Sequence, residues 1–188
     1  MTGNTSSSDF PTVNPYQANN TGGEAAFVTE ISSDGSSLIY STYLGGSDFT
    51  QGNAIGLDSL GDMYVSGSTY AVDFPTANAY QSTVSPNQNG YFGQYGFLTK
   101  FTPDGSSLVY STYFAGSTNV AGNCENPCWP SPYSSVSSMA VDTVGNAYIA
   151  GGTNTYNFPT TASAYQPTNS TSSNEDVASS LSSPPPAT

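Results

Sequence analysis

The stretch Asp9-Phe10-Pro11-Thr12-Val13-Asn14-Pro15-Tyr16-Gln17 is written again as Asp73-Phe74-Pro75-Thr76-Ala77-Asn78-Ala79-Tyr80-Gln81. It returns once more, one residue longer, as Asn157-Phe158-Pro159-Thr160-Thr161-Ala162-Ser163-Ala164-Tyr165-Gln166. A second phrase, Asp34-Gly35-Ser36-Ser37-Leu38-Ile39-Tyr40-Ser41-Thr42-Tyr43-Leu44-Gly45-Gly46-Ser47, is matched by Asp104-Gly105-Ser106-Ser107-Leu108-Val109-Tyr110-Ser111-Thr112-Tyr113-Phe114-Ala115-Gly116-Ser117. Self-similarity of this kind marks a repeat architecture, in which one unit cannot bury its own apolar face and stacks on the next. The first phrase recurs after 64 residues (Phe10 to Phe74), the second after 70 (Tyr43 to Tyr113), and an Asp-x-x-Gly turn after 84 (Asp58 to Asp142). The extra residues fall in 82–96 and 118–137, which therefore read as variable surface loops on a constant scaffold.

Each repeat reads as two hairpins. Phe27-Val28-Thr29-Glu30-Ile31 and Phe97-Leu98-Thr99-Lys100-Phe101 alternate apolar with polar side chains, the period of a half-buried strand. An Asp-Gly turn follows each, and then come residues 38–44 and 108–114, rich in Tyr, Thr and β-branched side chains. The second hairpin runs through Ala54-Ile55-Gly56-Leu57-Asp58 to Met63-Tyr64-Val65-Ser66-Gly67, and its copy through Ser138-Met139-Ala140-Val141-Asp142 to Ala147-Tyr148-Ile149-Ala150-Gly151. Ala54, Gly56 and Ala140 mark a strand in tight quarters, where a neighbouring backbone comes close. No stretch keeps apolar residues at i, i+3, i+4 and i+7 for more than a turn. The fold class is all-β.

Composition excludes several functions. The chain of 188 residues holds 13 acidic side chains, one Lys and neither Arg nor His, for a net charge of −12. Nucleic acid and anionic membrane surfaces are both recognised through Lys and Arg, so neither is an expected partner. No segment is apolar over the 18 or more residues that a membrane span requires. Missing cations also remove the usual general bases and oxyanion clamps, leaving only carboxylates for chemistry. Asp58 with Asp62, or Asp142 with Asp48, are the pairs to weigh. Because Asp58 and Asp142 occupy matched turn positions, a structural role bonding their own turn amides is the better reading. No enzyme, no metal and no cofactor are expected, and Asp58-Ser59-Leu60-Gly61-Asp62 lacks the ligand density of a calcium loop.

Ser, Thr, Asn, Gly and Tyr dominate, which suits a secreted or cell-surface protein. Residues 1–8 lack the basic and apolar parts of a signal peptide, and a processed chain carrying a starting Met is the preferred reading. Asn4-Thr5-Ser6, Asn19-Asn20-Thr21 and Asn169-Ser170-Thr171 match the glycosylation acceptor pattern, which arises easily in so polar a chain. Cys124 and Cys128 bracket a short Pro-containing loop, and without His a zinc site has too few ligands, so a disulfide is expected. Tyr91, Phe92, Tyr95, Trp129 and Tyr133 sit in or beside the two variable loops. Rings with Asn and Gln nearby are what a carbohydrate site uses, though the same rings also serve packing against the next blade or subunit.

The spaced phrases Ala140-x-Asp142-x-x-Gly145-Asn146-x-Tyr148-x-x-Gly151 and Gly35-Ser36-Ser37-Leu38-x-Tyr40-Ser41-Thr42-Tyr43 resemble the SBBP family of bacterial β-propeller repeats over about residues 9–166. The first hairpin is also similar to NHL repeats. The resemblance implies four-stranded blades, secreted or surface proteins, and no catalytic residues to carry over. A closed propeller takes four to eight blades, yet only two blades' worth of strands are visible here. They are also cut out of phase, opening on an outer hairpin and ending on an inner one.

Three divisions are expected: an extension at 1–26 carrying the first Phe-Pro-Thr phrase, two tandem four-stranded blades over 27–166 with one split between the two ends, and a Ser/Thr/Pro-rich tail at 167–188. Residues 1–8 and 167–188 read as flexible tails. An open hairpin edge is a template for pairing. The leading expectation is an extracellular structural subunit polymerising head to tail through blade completion, in a ring or filament with itself as partner. The alternative is a piece of a longer secreted propeller that binds carbohydrate or protein.

Overall fold

The computed structural model describes residues 1–86, 90, 92–117 and 131–169, and the backbone of 177–180. Cys124, Cys128, Tyr91 and Trp129 lie outside the described residues. The described residues form ten strands: β1 (Thr2–Thr5), β2 (Ala25–Ile31), β3 (Leu38–Leu44), β4 (Thr50–Leu57), β5 (Met63–Thr69), β6 (Tyr95–Phe101), β7 (Leu108–Phe114), β8 (Ser134–Val141), β9 (Ala147–Thr153) and β10 (Val177–Ser180). They make three antiparallel sheets, β1-β2-β3, β4-β5-β6-β7 and β8-β9-β10. The all-β reading and both hairpin types hold. Two four-stranded blades do not appear as such. One four-stranded sheet is flanked by two three-stranded ones, because a short strand lies along the open edge of each half-blade. Residues 1–8 and 167–188, expected as tails, supply those strands, β1 and β10.

The hairpins follow from their turns. Gly35 and Gly105 sit at φ +74° and +69°, a region that side chains with a Cβ rarely adopt. Asp34 and Asp104 fold back on the turn, each accepting hydrogen bonds from the backbone N–H two residues on at 3.1 Å. The inner hairpins carry a bulge, between Gly52 and Ala54 in one and Val136 and Ser138 in the other. A Cβ on the facing glycine would lie 1.9 Å from the Gln51 carbonyl oxygen (Gly67) or 1.8 Å from that of Ser135 (Gly151). No other residue fits there.

The main core lies in the middle sheet and where the first sheet meets it. Phe74, Phe97, Phe101, Tyr95, Tyr113, Val65 and Leu44 are buried, each worth about 1.5–3 kcal/mol of apolar transfer for the larger side chains. Strand β4 touches both neighbouring sheets. A Cβ on Gly52 would meet Thr2 Oγ1 of β1 at 2.3 Å, and one on Gly56 would meet Val141 Cγ2 of β8 at 2.9 Å. Asn53 Nδ2 donates to the Val136 carbonyl (2.7 Å), and Ser59 Oγ to that of Thr143 (3.1 Å). The small residues noted in this strand are thus the price of close stacking between sheets.

Candidate functional site

The two repeated phrases turn out to be halves of one lock. In the middle sheet the 73–81 phrase runs back along the outer strand β7 as a strap. Ala77 pairs with Ser111 through two backbone hydrogen bonds (3.0 and 2.7 Å), and the Tyr113 N–H donates to the Gln81 carbonyl (3.1 Å). The Gln81 N–H donates to Thr112 Oγ1 (2.9 Å), and its side-chain oxygen accepts from the Ala115 N–H (3.1 Å). Tyr113 Oη accepts from the Phe74 N–H and donates to the Ala71 carbonyl, both at 2.9 Å. Phe74 then packs on Phe97 at 4.5 Å between ring centroids. Asn78 takes φ +45°, a turn that Asn tolerates, and its amide donates to the Val109 carbonyl (2.9 Å). So the Ser-Thr-Tyr phrase is the latch and the Phe-Pro-Thr phrase is the strap.

The first sheet repeats this bond for bond. Val13 pairs with Ser41, Gln17 binds Thr42, Tyr43 and Gly45, and Asn14 sits at φ +46°. Tyr43 Oη accepts from the Phe10 N–H (3.0 Å) and donates to the Ser7 carbonyl (2.8 Å). The strap covers the outermost edge of each sheet, which would otherwise present unpaired amides.

Strand β1 is part of the same pattern. Gly3 faces Phe27 as Gly67 faces Phe97. Thr5 Oγ1 accepts from the Ser7 N–H (3.1 Å), as Thr69 does from Ala71 (3.0 Å) and Thr153 from Thr155 (3.2 Å). The signal was present in the sequence and went unread: Gly3-x-Thr5-x-x-x-Asp9-Phe10-Pro11-Thr12 has the spacing of Gly67-x-Thr69-x-x-x-Asp73-Phe74-Pro75-Thr76 and of Gly151-x-Thr153-x-x-x-Asn157-Phe158-Pro159-Thr160. Residues 1–17 are therefore a third copy of the strand-plus-strap unit. Thr69 and Thr153 also share a hydroxyl contact with Thr50 (2.8 Å) and Ser134 (2.9 Å) of an innermost strand. Among the described residues the first sheet has no such strand beside β1.

The third strap, 157–166, has no outer strand beneath it among the described residues. Phe158 packs on Phe114 of the middle sheet at 5.6 Å, and Tyr165 is fully exposed. A small slot on the third sheet is lined by Phe114, Ser135, Val136, Ile149, Gly151 and Phe158. Its walls match those around Phe97 in the middle sheet, where Gly67 and Phe74 touch the ring. The residue that β10 places opposite Gly151 is Ser179.

Of the carbohydrate candidates, Tyr95, Tyr133 and Phe92 are among the described residues. Tyr95 is buried in the core, its hydroxyl accepting from the Gly93 N–H (3.0 Å); Tyr133 is half-buried against Ser135; Phe92 is exposed. An open cleft of 410 Å³ lies elsewhere, lined by Tyr80, Gln81, Ser85, Ser117, Asn157 and Pro159. The chain's one cation is held structurally. Lys100 Nζ lies 3.0 Å from Asp58 Oδ2 and 2.7 Å from Asp62 Oδ2, and 4.9 Å from the Tyr64 ring centre. Burial alone would lower the Lys100 pKa, but hydrogen bonds to Asp62, Tyr64 and Asp58 together outweigh it and hold it above its ordinary value. Burial likewise works to raise Asp58, and Lys100 with the Leu60 and Asp62 amides overcomes it, keeping the carboxylate ionised. At the matched place in the third sheet, Asn146 Nδ2 donates to Asp142 Oδ2 (2.7 Å) instead of a lysine. Asp58 and Asp142 thus serve their turns, as their repetition suggests.

A beta-propeller repeat family, SBBP, matches residues 39–75 and 130–159. These two segments match the SBBP repeat. Each match spans an inner hairpin and stops just inside a strap, at Pro75 and Pro159. What the two matches share is β4-β5 and β8-β9, the hairpins whose bulge and Asp turn are common to both copies; the first match also takes in most of β3. No curated protein matches the chain.

Proposed function

We propose that this protein is a non-enzymatic structural subunit, working outside the cell or on its surface, whose copies join head to tail by completing one another's SBBP blades. The observation that carries this reading is the count of locks: three straps (9–17, 73–81, 157–166) against two latches (41–43, 111–113). Among the described residues the first sheet has no innermost strand and the third no outermost one, and the β8-β9 and β2-β3 hairpins of two copies would supply them to each other. Among the described residues both edges are covered in part: residues 1–5 lie along β2, Met1 and Thr29 exchanging backbone hydrogen bonds, and four residues of β10 pair with β9, where the intact blade pairs seven between β5 and β6. A blade completed between copies would be head-to-tail, giving rings if the rotation closes and filaments if it does not.

Sedimentation velocity over a concentration series tests this. The proposal expects species that grow with concentration, and a single sharp monomer boundary at every concentration would reject it. A second reading, a carbohydrate-binding module, draws on the 410 Å³ cleft, where the exposed Tyr80 ring stands beside Gln81, Ser117 and Asn157. Glycan binding that is lost in Tyr80→Ala would favour it, and an empty glycan array would remove it.

A further inference from the structure

We propose that residues 1–17 are a built-in stand-in for residues 149–166 of a second copy, and that subunits join when the latter, giving up their own pairing with β10, displace the former from the edge of β2 and the latch of β3. The inference rests on the head-to-tail reading and names its surfaces.

The two segments are interchangeable by register. Gly3 opposes Phe27, and Gly151 is the glycine at that position of β9. Thr5 and Thr153 close the same turn, Asp9 and Asn157 head the same strap, and Phe10 and Phe158 follow them. Only one can occupy the first sheet at a time. The incoming segment has more to offer. Strand β9 has seven residues to pair along β2 where the chain's own start lays five, Met1 to Thr5, and it brings β8, which fills the innermost place that no described strand takes beside β1. Phe27 would then enter the slot facing Gly151, between Phe158 and Phe114, as Phe97 sits against Gly67 and Phe74. That slot is continuous with the interface by which the third sheet already packs on the second, since Phe114 forms part of its wall.

Contacts further out agree. Between the first and second sheets, Tyr16 packs edge-on to Phe101 (5.9 Å), and Tyr40 is sheltered where a Cβ on Gly105 would meet its ring at 2.6 Å. The matched pairs across a junction of two copies are Tyr80 over Ile31 and Tyr110 under Gly35. Tyr80 is 73% exposed and Ile31 42%, whereas buried Phe101 shows what that position becomes once covered. Two apolar groups left bare on one chain, Tyr80 beside the second sheet and Ile31 on the first, are each other's missing neighbour across two copies.

Cysteine pairs in the full chain test the exchange, with Cys124→Ser and Cys128→Ser as background. Asn4 and Ala26 face each other across β1 and β2, and Gly152 is the match of Asn4. Ala26→Cys with Gly152→Cys can therefore close only between copies. A Cβ at Gly152 meets nothing nearer than Tyr133 Cε1 at 3.6 Å, so the substitution fits. Oxidation is expected to give a ladder of covalent dimers, trimers and higher species that reducing agent collapses. Asn4→Cys with Ala26→Cys instead pins β1 in place; this chain is expected to stay monomeric when oxidised and to assemble when reduced. Gly3→Val, whose Cβ would lie 2.9 Å from the Phe27 ring, should release β1 and lower the concentration at which assembly begins. Assembly by light scattering with no ladder, or assembly of the pinned chain while oxidised, would overturn the exchange and leave head-to-tail joining intact. Monomers throughout, with Gly3→Val folded by circular dichroism, would overturn both.

Discussion

Replacing Tyr113 by Phe removes one oxygen and, if the lock is as described, weakens the middle blade out of proportion to that change. Among the described residues the hydroxyl is the hydrogen-bond partner of the Phe74 N–H and of the Ala71 carbonyl, both bonds being buried and 2.9 Å long. A buried polar group left without a partner costs about 1–3 kcal/mol, so the loss of both bonds should cost about 2–3 kcal/mol. In a chain of this size each kcal/mol lowers Tm by about 2–4 °C, which gives a fall of roughly 4–12 °C by the same scaling. Tyr43→Phe is the internal control. Its hydroxyl makes the same two bonds, to the Phe10 N–H and the Ser7 carbonyl; the Tyr43 ring is buried, but both partners are only partly buried, whereas those of Tyr113 are buried. That substitution should cost about 1 kcal/mol or less. The two sites lie in different sheets, so the double variant should be additive. Urea unfolding followed by intrinsic fluorescence, at a concentration where the chain is monomeric, gives both numbers. A Tyr113→Phe within about 0.5 kcal/mol of the parent, or a Tyr43→Phe that costs more than Tyr113→Phe, would refute the strap-and-latch account.

Further outcomes follow from the charges. Lys100→Met strands Asp58 and Asp62 beside each other, so stability should fall at neutral pH and partly return near pH 4 as a carboxylate takes up a proton; equal losses at both pH values would contradict this. Asp34, bonded by Ser32 and Ser36, is pushed down to about 2, and Asp58, Asp73, Asp104 and Asp142 are also lowered. Folded values below the unfolded ones mean that stability is present above about pH 4 and lost as pH falls through the folded values, to be read from urea midpoints between pH 5 and 2. Burial pushes Tyr110 and Tyr113 up to about 12, so stability should hold below pH 10 and decline above it, with phenolate absorbance from these rings appearing only on unfolding. Finally, Glu30 is the match of Lys100, and in a junction it would stand opposite Tyr148 and beside Asp142 and Asn146, with no cation near. Glu30→Lys should restore the middle blade's ion pair there and lower the concentration for assembly at neutral pH, as light scattering would show; an unchanged threshold would place β2 elsewhere.

The strands were legible because their cues are local. Alternation in 97–101, Asp-Gly at 34–35 and 104–105, and the close spacing around Gly56 each report on a neighbour a few residues or one turn away. The lock between phrases was not, because it joins Phe74 to Tyr113 and Gln81 to Ala115 across some 30–40 residues, and repetition alone says that a phrase matters without saying what it touches. Strand β1 was missed for a different reason. Its Ser-rich sequence has the composition of a tail, and only Gly3 and Thr5, at fixed distance from Phe10, betray it. Burial is also hard to read along the chain: Tyr95 stands next to a loop in sequence but inside the core in space.

The most direct test of the account is the mass and shape of native material, by light scattering and negative-stain microscopy on one sample. Completion of blades between copies predicts rings or filaments built of two blades per subunit. A compact particle of 19.4 kDa at every concentration would contradict it.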